Sequence, residues 1–119
     1  MHFGQYFEPK RLNIISDKKF IASAIGECDL LVNATPVGMS ESDPSPVDKG
    51  LLRQGQYVYD LVYNRPYTRL VREANSMKLH AVTGAGMLLY QGAIAFEAWT
   101  GRKAPVEVMR RALRKSLEH

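Results

Sequence analysis

Three short apolar runs, each closing on a polar or glycine-bearing turn, limit what this chain can fold into more than any other feature. Asp29–Val32 feeds into Asn33-Ala34-Thr35-Pro36-Val37-Gly38-Met39. Tyr57–Val62 leads into Tyr63-Asn64, and Leu79–Val82 leads into Thr83-Gly84-Ala85-Gly86. The stretches between them carry apolar residues at helical spacing. Asp17–Gly26 repeats Phe20, Ile21 and Ile25, with Ser16 or Asp17 as cap and Gly26 as stop. Thr68–Met77 turns Leu70, Val71, Ala74 and Met77 inward. Gly86–Thr100 is the longest predicted helix, ended by Gly101, and Pro105–Leu117 is the last, with Pro105 in its first turn. Leu12–Ile15 reads as a further strand, Asp48–Leu52 as one helical turn, Ser40–Pro46 as a mobile polar loop, and residues 1–11 as irregular. Strand alternating with helix predicts the α/β class, with a parallel sheet and right-handed crossovers. Tyr57–Tyr63, apolar apart from Asp60, predicts a strand covered on both faces. Ligands of open α/β sheets sit at the carboxyl ends of the strands, so three such tips predict one shared cleft.

The bulk numbers narrow the partners. At 119 residues the chain is one domain or part of one. No apolar run reaches the roughly 18 residues of a membrane span, and the first ten residues lack a signal-peptide apolar region. Cys28 is the sole cysteine, which excludes an internal disulfide and points to the cytoplasm; beside an apolar strand it reads as a core residue. The net charge of +4 raises a nucleic-acid reading. Arg102, Lys103, Arg110, Arg111, Arg114 and Lys115, however, lie off the stripe Val106, Met109, Leu113 and Leu117, without interleaved aromatics. They read as the solvated face of an amphipathic helix, so neither nucleic acid nor membrane is expected as a partner. Leu117-Glu118-His119 reads as the start of a histidine tag.

Few residues carry chemistry. Gln91 shares a helix face with Met87, Ile94 and Ala98, so an amide interrupts an apolar stripe. A buried amide needs a partner, either a nearby carbonyl or a polar ligand; the position after the third strand tip favours the ligand. Gly84 and Gly86 let a flat cofactor approach the backbone, or simply turn the strand into the helix. Gly84-x-Gly86 is not a dinucleotide fingerprint, since Leu89 stands where a third glycine belongs. Tyr63 can offer its hydroxyl to a ligand or pack on Pro66. Thr35 can donate to a ligand or cap its turn, and Asp60 is expected to accept amides from a neighbouring turn. His2, His80 and His119 are scattered, and no paired nucleophile and base stands out.

The three tips together resemble the nucleotide-binding, C-terminal domain of shikimate dehydrogenases. Asn33-Ala34-Thr35-Pro36 is similar to the family's Asn-Ala-Thr-Pro motif, and Tyr59-Asp60-Leu61-Val62-Tyr63 to its Tyr-Asp-x-x-Tyr strand. Gly84–Ala93, with Phe96, Glu97 and Trp99, resembles its closing helix. The resemblance runs from about residue 20 to 117. It implies a partial Rossmann-like sheet with flanking helices, corresponding to about the last two-fifths of an enzyme that reduces 3-dehydroshikimate with NADPH. It places Tyr63 and Gln91 at shikimate, and Asn33, Thr35, Leu61 and Gly84 at NADP. The family's catalytic Lys and Asp, its glycine-rich loop and its 2′-phosphate motif have no counterpart in residues 1–119, so the chain alone is expected to be inactive. NAD and quinate remain open as cofactor and substrate. A non-catalytic dimerisation or anion-binding module is the reading from another class. Loss of the neighbouring strands leaves Asp29–Val32 as a bare edge, which predicts a homodimer through it.

Overall fold

Two of the helices begin at a side chain that takes up an early amide group, and two begin on Gly84 and Pro105 without one. Helix α1 (Lys18–Glu27) starts at Asp17, whose carboxylate accepts from Lys19 N at 2.9 Å. Asp48 opens a single 3-10 turn, Lys49–Leu51, in the same way. Thr68 caps α2 (Arg69–Ser76), with its hydroxyl accepting from Val71 N. Helix α3 (Ala85–Thr100) ends on Gly101 at φ +67°, the left-handed geometry that glycine adopts without cost. Helix α4 (Val106–Leu117) follows, with Pro105 at its N-cap, one position before the first turn. The computed structural model describes residues 11–118. The irregular start read over residues 1–11 lies outside them except for Arg11, as does His119 of the tag reading.

Three four-residue strands, β1 (Leu30–Asn33), β2 (Tyr57–Asp60) and β3 (His80–Thr83), form a parallel sheet in the order β1-β2-β3. Asn33, Asp60 and Thr83 lie in register across it, so all three strands end on one edge. Alternation along the strands turns Leu31, Val58 and Ala81 to one face. There α2 packs, and Leu52, Val58, Leu70, Ala74 and Leu79 make the core. The other face is open: Leu30 is 57%, Val32 45%, Tyr57 55% and Val82 54% exposed, and Tyr57 stacks on His80 with ring centroids 5.2 Å apart. The expectation of a strand covered on both sides therefore fails: Tyr57 stands in solvent, and α3 and α4 approach this face only across an open groove at Tyr59. The radius of gyration, 16.9 Å, exceeds the roughly 13.5 Å of a compact domain of this length.

Leu12–Ile15 is not a strand. A four-residue stretch that is β-branched only at its end, Ile14 and Ile15, gains little without a ladder of partner N–H and C=O groups, and none of the described strands pairs with it. Gly26 does not stop α1, which runs through Glu27 to a C-cap at Cys28. The Ser40–Pro46 loop is tied down on its first half. Asp43 Oδ2 accepts from Gly38 N at 2.9 Å and Ser40 N at 3.2 Å, and Asn64 Nδ2 donates to Met39 O at 3.0 Å.

Candidate functional site: the strand tips

The tips of β1, β2 and β3 are joined by a buried polar network. Asn33, Asp60 and Thr68 are almost fully buried, so each polar atom needs a partner. Asn33 Nδ2 donates to Asp60 Oδ1 and to Val37 O, both at 3.0 Å. Asn33 Oδ1 accepts from Thr35 N at 3.1 Å and Thr35 Oγ1 at 2.6 Å. Asp60 Oδ1 accepts from Val62 N as well, and Asp60 Oδ2 from Thr68 Oγ1 at 2.7 Å. The backbone adds Leu61 N to Asn33 O and Gly84 N to Val62 O, both at 3.0 Å.

The network brings four of the six candidate residues together. Asn33 bonds Thr35 through its side chain and Leu61 through its carbonyl. Gly84 lies against Leu61: a Cβ there would stand 2.9 Å from the Leu61 carbonyl carbon and closer still to its oxygen. Glycine is thus required at 84 by the approach of β2 to the start of α3. Gly86 has no neighbour that a Cβ would meet. Asn33 has both amide hydrogens and both oxygen acceptor directions engaged within the protein, so its side chain shapes the site from beneath. Thr35 lies above it, exposed.

Tyr63 and Gln91 stand apart from this group. Tyr63 lies three residues beyond the end of β2, 46% exposed, with no hydroxyl partner among the described residues. Gln91 is exposed, and its amide donates to Leu88 O at 3.2 Å. The expectation of a buried amide interrupting an apolar stripe is corrected here. Met87 and Ile94 of the same stripe are also exposed, at 46% and 70%, so the face that carries Gln91 points to solvent. A groove of about 950 Å3 lies elsewhere. It is walled by the open sheet face, the start of α3 and α4, with Tyr59, Tyr67, Tyr90 and Arg110 among its lining, and none of the six candidates takes part. Arg110 is engaged there, bonded to the Tyr90 hydroxyl at 3.1 Å, which holds the guanidinium above its ordinary pKa.

Two participants escaped the sequence reading. Asp43 pins the β1 tip loop, and the backbone N–H groups of Gly38 and Ser40, helped by Arg65, hold its carboxyl below the usual range. Thr68 closes the network on Asp60 while capping α2. Thr-Arg-Leu-Val at a helix start signals the cap but not the bond to a carboxyl eight residues back. Among the described residues no cluster of metal-ligating side chains occurs.

Parallel strands whose polar tips meet the glycine-bearing start of a helix define part of a Rossmann-like α/β domain. Residues 84–114 match the family model for the shikimate 5'-dehydrogenase C-terminal domain. A shikimate dehydrogenase (NADP(+)) of Methanopyrus kandleri is 52% identical over 101 residues, covering 83% of this chain and 34% of the relative. The structure of the Thermus thermophilus shikimate 5-dehydrogenase in complex with NADP(H) and shikimate matches at a TM-score of 0.72 and 40% identity, over 80% of this chain and 36% of that one. A Corynebacterium glutamicum quinate dehydrogenase in complex with NAD matches at a TM-score of 0.79 and 29% identity, over 86% of this chain and 36% of that one. The chain belongs to the shikimate dehydrogenase family, and spans about a third of the length of these relatives.

Proposed function

We propose that this chain is the C-terminal portion of the NADP-binding domain of a cytoplasmic shikimate dehydrogenase. That enzyme reduces 3-dehydroshikimate to shikimate in aromatic amino acid biosynthesis. The observation that carries the reading is the contact of Leu61 with Gly84 beside the Asn33–Thr35 turn, which gathers the four cofactor candidates on one edge of the sheet. An exposed turn of small residues, Ala34-Thr35-Pro36, next to a half-buried Leu61 and an unhindered Gly86 suits the flat, weakly polar nicotinamide end of NADP. Bound there, the cofactor supplies the hydride. The chain's own part would be to hold the nicotinamide end of that cofactor, with Thr35 and Leu61 as the residues beside it. Tyr63 and Gln91, exposed beyond the tips, offer a hydroxyl and an amide to a polyhydroxylated ring. The tips offer no general acid: both oxygens of Asp60 are engaged. The chain alone is therefore expected to show no useful turnover.

An NMR titration of the chain tests the reading. NADP+ is expected to shift Thr35, Leu61 and Gly84, and shikimate to shift Tyr63 and Gln91. The absence of shifts at millimolar ligand would sink it for this chain. NAD shifting the same residues at lower concentration, with quinate replacing shikimate, would instead favour the specificity named for the Corynebacterium relative.

A second reading concerns assembly. The free edge of β1 and the open sheet face support a homodimer through that edge. A sedimentation series over a hundredfold in concentration is expected to show a monomer–dimer equilibrium; a monomer throughout would end this reading.

A further inference from the structure

One buried carboxyl group ties all the strand tips together. Asp60, fully buried at the last position of β2, reaches β1 through Asn33 Nδ2, and Asn33 in turn fixes Thr35 by two hydrogen bonds. Through the same Oδ1 it fixes Val62 N, and Val62 O receives Gly84 N, the residue that starts α3. Its Oδ2 is taken by Thr68, the cap of α2. Asn33, Thr35 and Gly84 therefore each hang one or two hydrogen bonds from a single side chain, and Leu61 is its chain neighbour. Among the described residues no cation is bonded to Asp60, so its acceptor capacity is committed to positioning.

We propose that Asp60 is a positioning residue that couples the two walls of the strand-tip site, the Asn33–Thr35 turn of β1 and the Leu61–Gly84 contact of β2 and α3. Its part in cofactor binding rests on the NADP reading above, but the coupling itself does not. The two Oδ1 bonds set the spacing of the walls, whereas the Oδ2 bond to Thr68 serves α2 and the core. Removing one set should therefore separate geometry from stability.

Three variants of the chain test this by amide NMR without ligand, then with NADP+. Asp60→Ala is expected to shift the Thr35, Val62 and Gly84 amides together, although Gly84 does not touch Asp60. Asp60→Asn, isosteric and able to keep one oxygen on Asn33 and Val62, is expected to recover most of those positions. Thr68→Val is expected to lower the melting temperature while leaving Thr35 and Gly84 in place, which a purely structural role for Asp60 does not predict. Where the wild-type chain responds to NADP+, Asp60→Ala is expected to need about tenfold more ligand, one charge-assisted hydrogen bond's worth, and Thr68→Val no more. Shifts confined to Val62 and Thr68 in the Asp60 variants would overturn the coupling. If Asp60→Ala fails to fold, Asn33→Ala decides, since it cuts the same link at its β1 end: a shift of Gly84 together with Thr35 supports the coupling, and a shift of Thr35 with Gly84 unmoved refutes it. A wild-type chain silent to NADP+ refutes the cofactor reading alone, since the ligand-free spectra still judge the coupling.

Discussion

Two glycines two positions apart do different work. Gly84 has an ordinary φ of −75°, so backbone conformation does not demand glycine there; the Leu61 carbonyl does. Gly84→Ala forces backbone atoms of β2 and α3 apart and is expected to cost about 1–3 kcal/mol, read as a lower urea midpoint. Gly86→Ala meets open space inside the first turn of α3 and is expected to be neutral or stabilising within about 1 kcal/mol. Equal losses for both would contradict this packing. Asp43 gives a pH signature. Its folded pKa is depressed by the amides of Gly38 and Ser40, so its bonds to the loop are present above the unfolded value of about 3.9 and are lost as pH falls through the folded value. The Gly38 and Ser40 amide resonances are expected to titrate together with a midpoint below that of a free Asp, and Asp43→Asn to abolish the titration.

Helix α1 shows how an element can be held with no buried residue of its own. Phe20 is 61% exposed. The fastening is polar and lies at the carboxyl end. Arg53 donates to Gly26 O, Glu27 O and Cys28 O, and the buried Gln56 donates to Ile25 O at 2.6 Å and Cys28 O at 2.9 Å. Gln56→Ala takes the amide donor from both carbonyls, leaving Ile25 O to the Cys28 thiol and Cys28 O to Arg53, and removes the acceptor of Arg53 N; it is expected to cost about 1–3 kcal/mol, with α1 amides exchanging faster than those of β2. The four helices and three strands were legible in the sequence because each carries its own period and punctuation, such as Asp17, Thr68 and Gly101. Leu12–Ile15 was misread because a strand is a property of a pair. Gln91 was misread because periodicity identifies an apolar stripe but not whether anything covers it. The Asn33–Asp60 contact, across 27 positions, had no local signal.

For the whole molecule the governing fact is one-sided coverage. Apolar side chains on the open sheet face, continuous with the free edge of β1, form the kind of surface that natural sheets cover or charge. Val32→Lys, half-exposed on that face, is expected to leave the melting temperature nearly unchanged and to shift any monomer–dimer equilibrium to monomer. An unaltered equilibrium would place the interface elsewhere. The covered side has the opposite character. Thr68 is at once the cap of α2 and the partner of Asp60, so the helix that builds the core cannot unwind from its first turn without releasing the strand tip. The tips and the core form a single cooperative unit: amides of Val62 and Val71 should open to solvent only together, at the free energy of global unfolding.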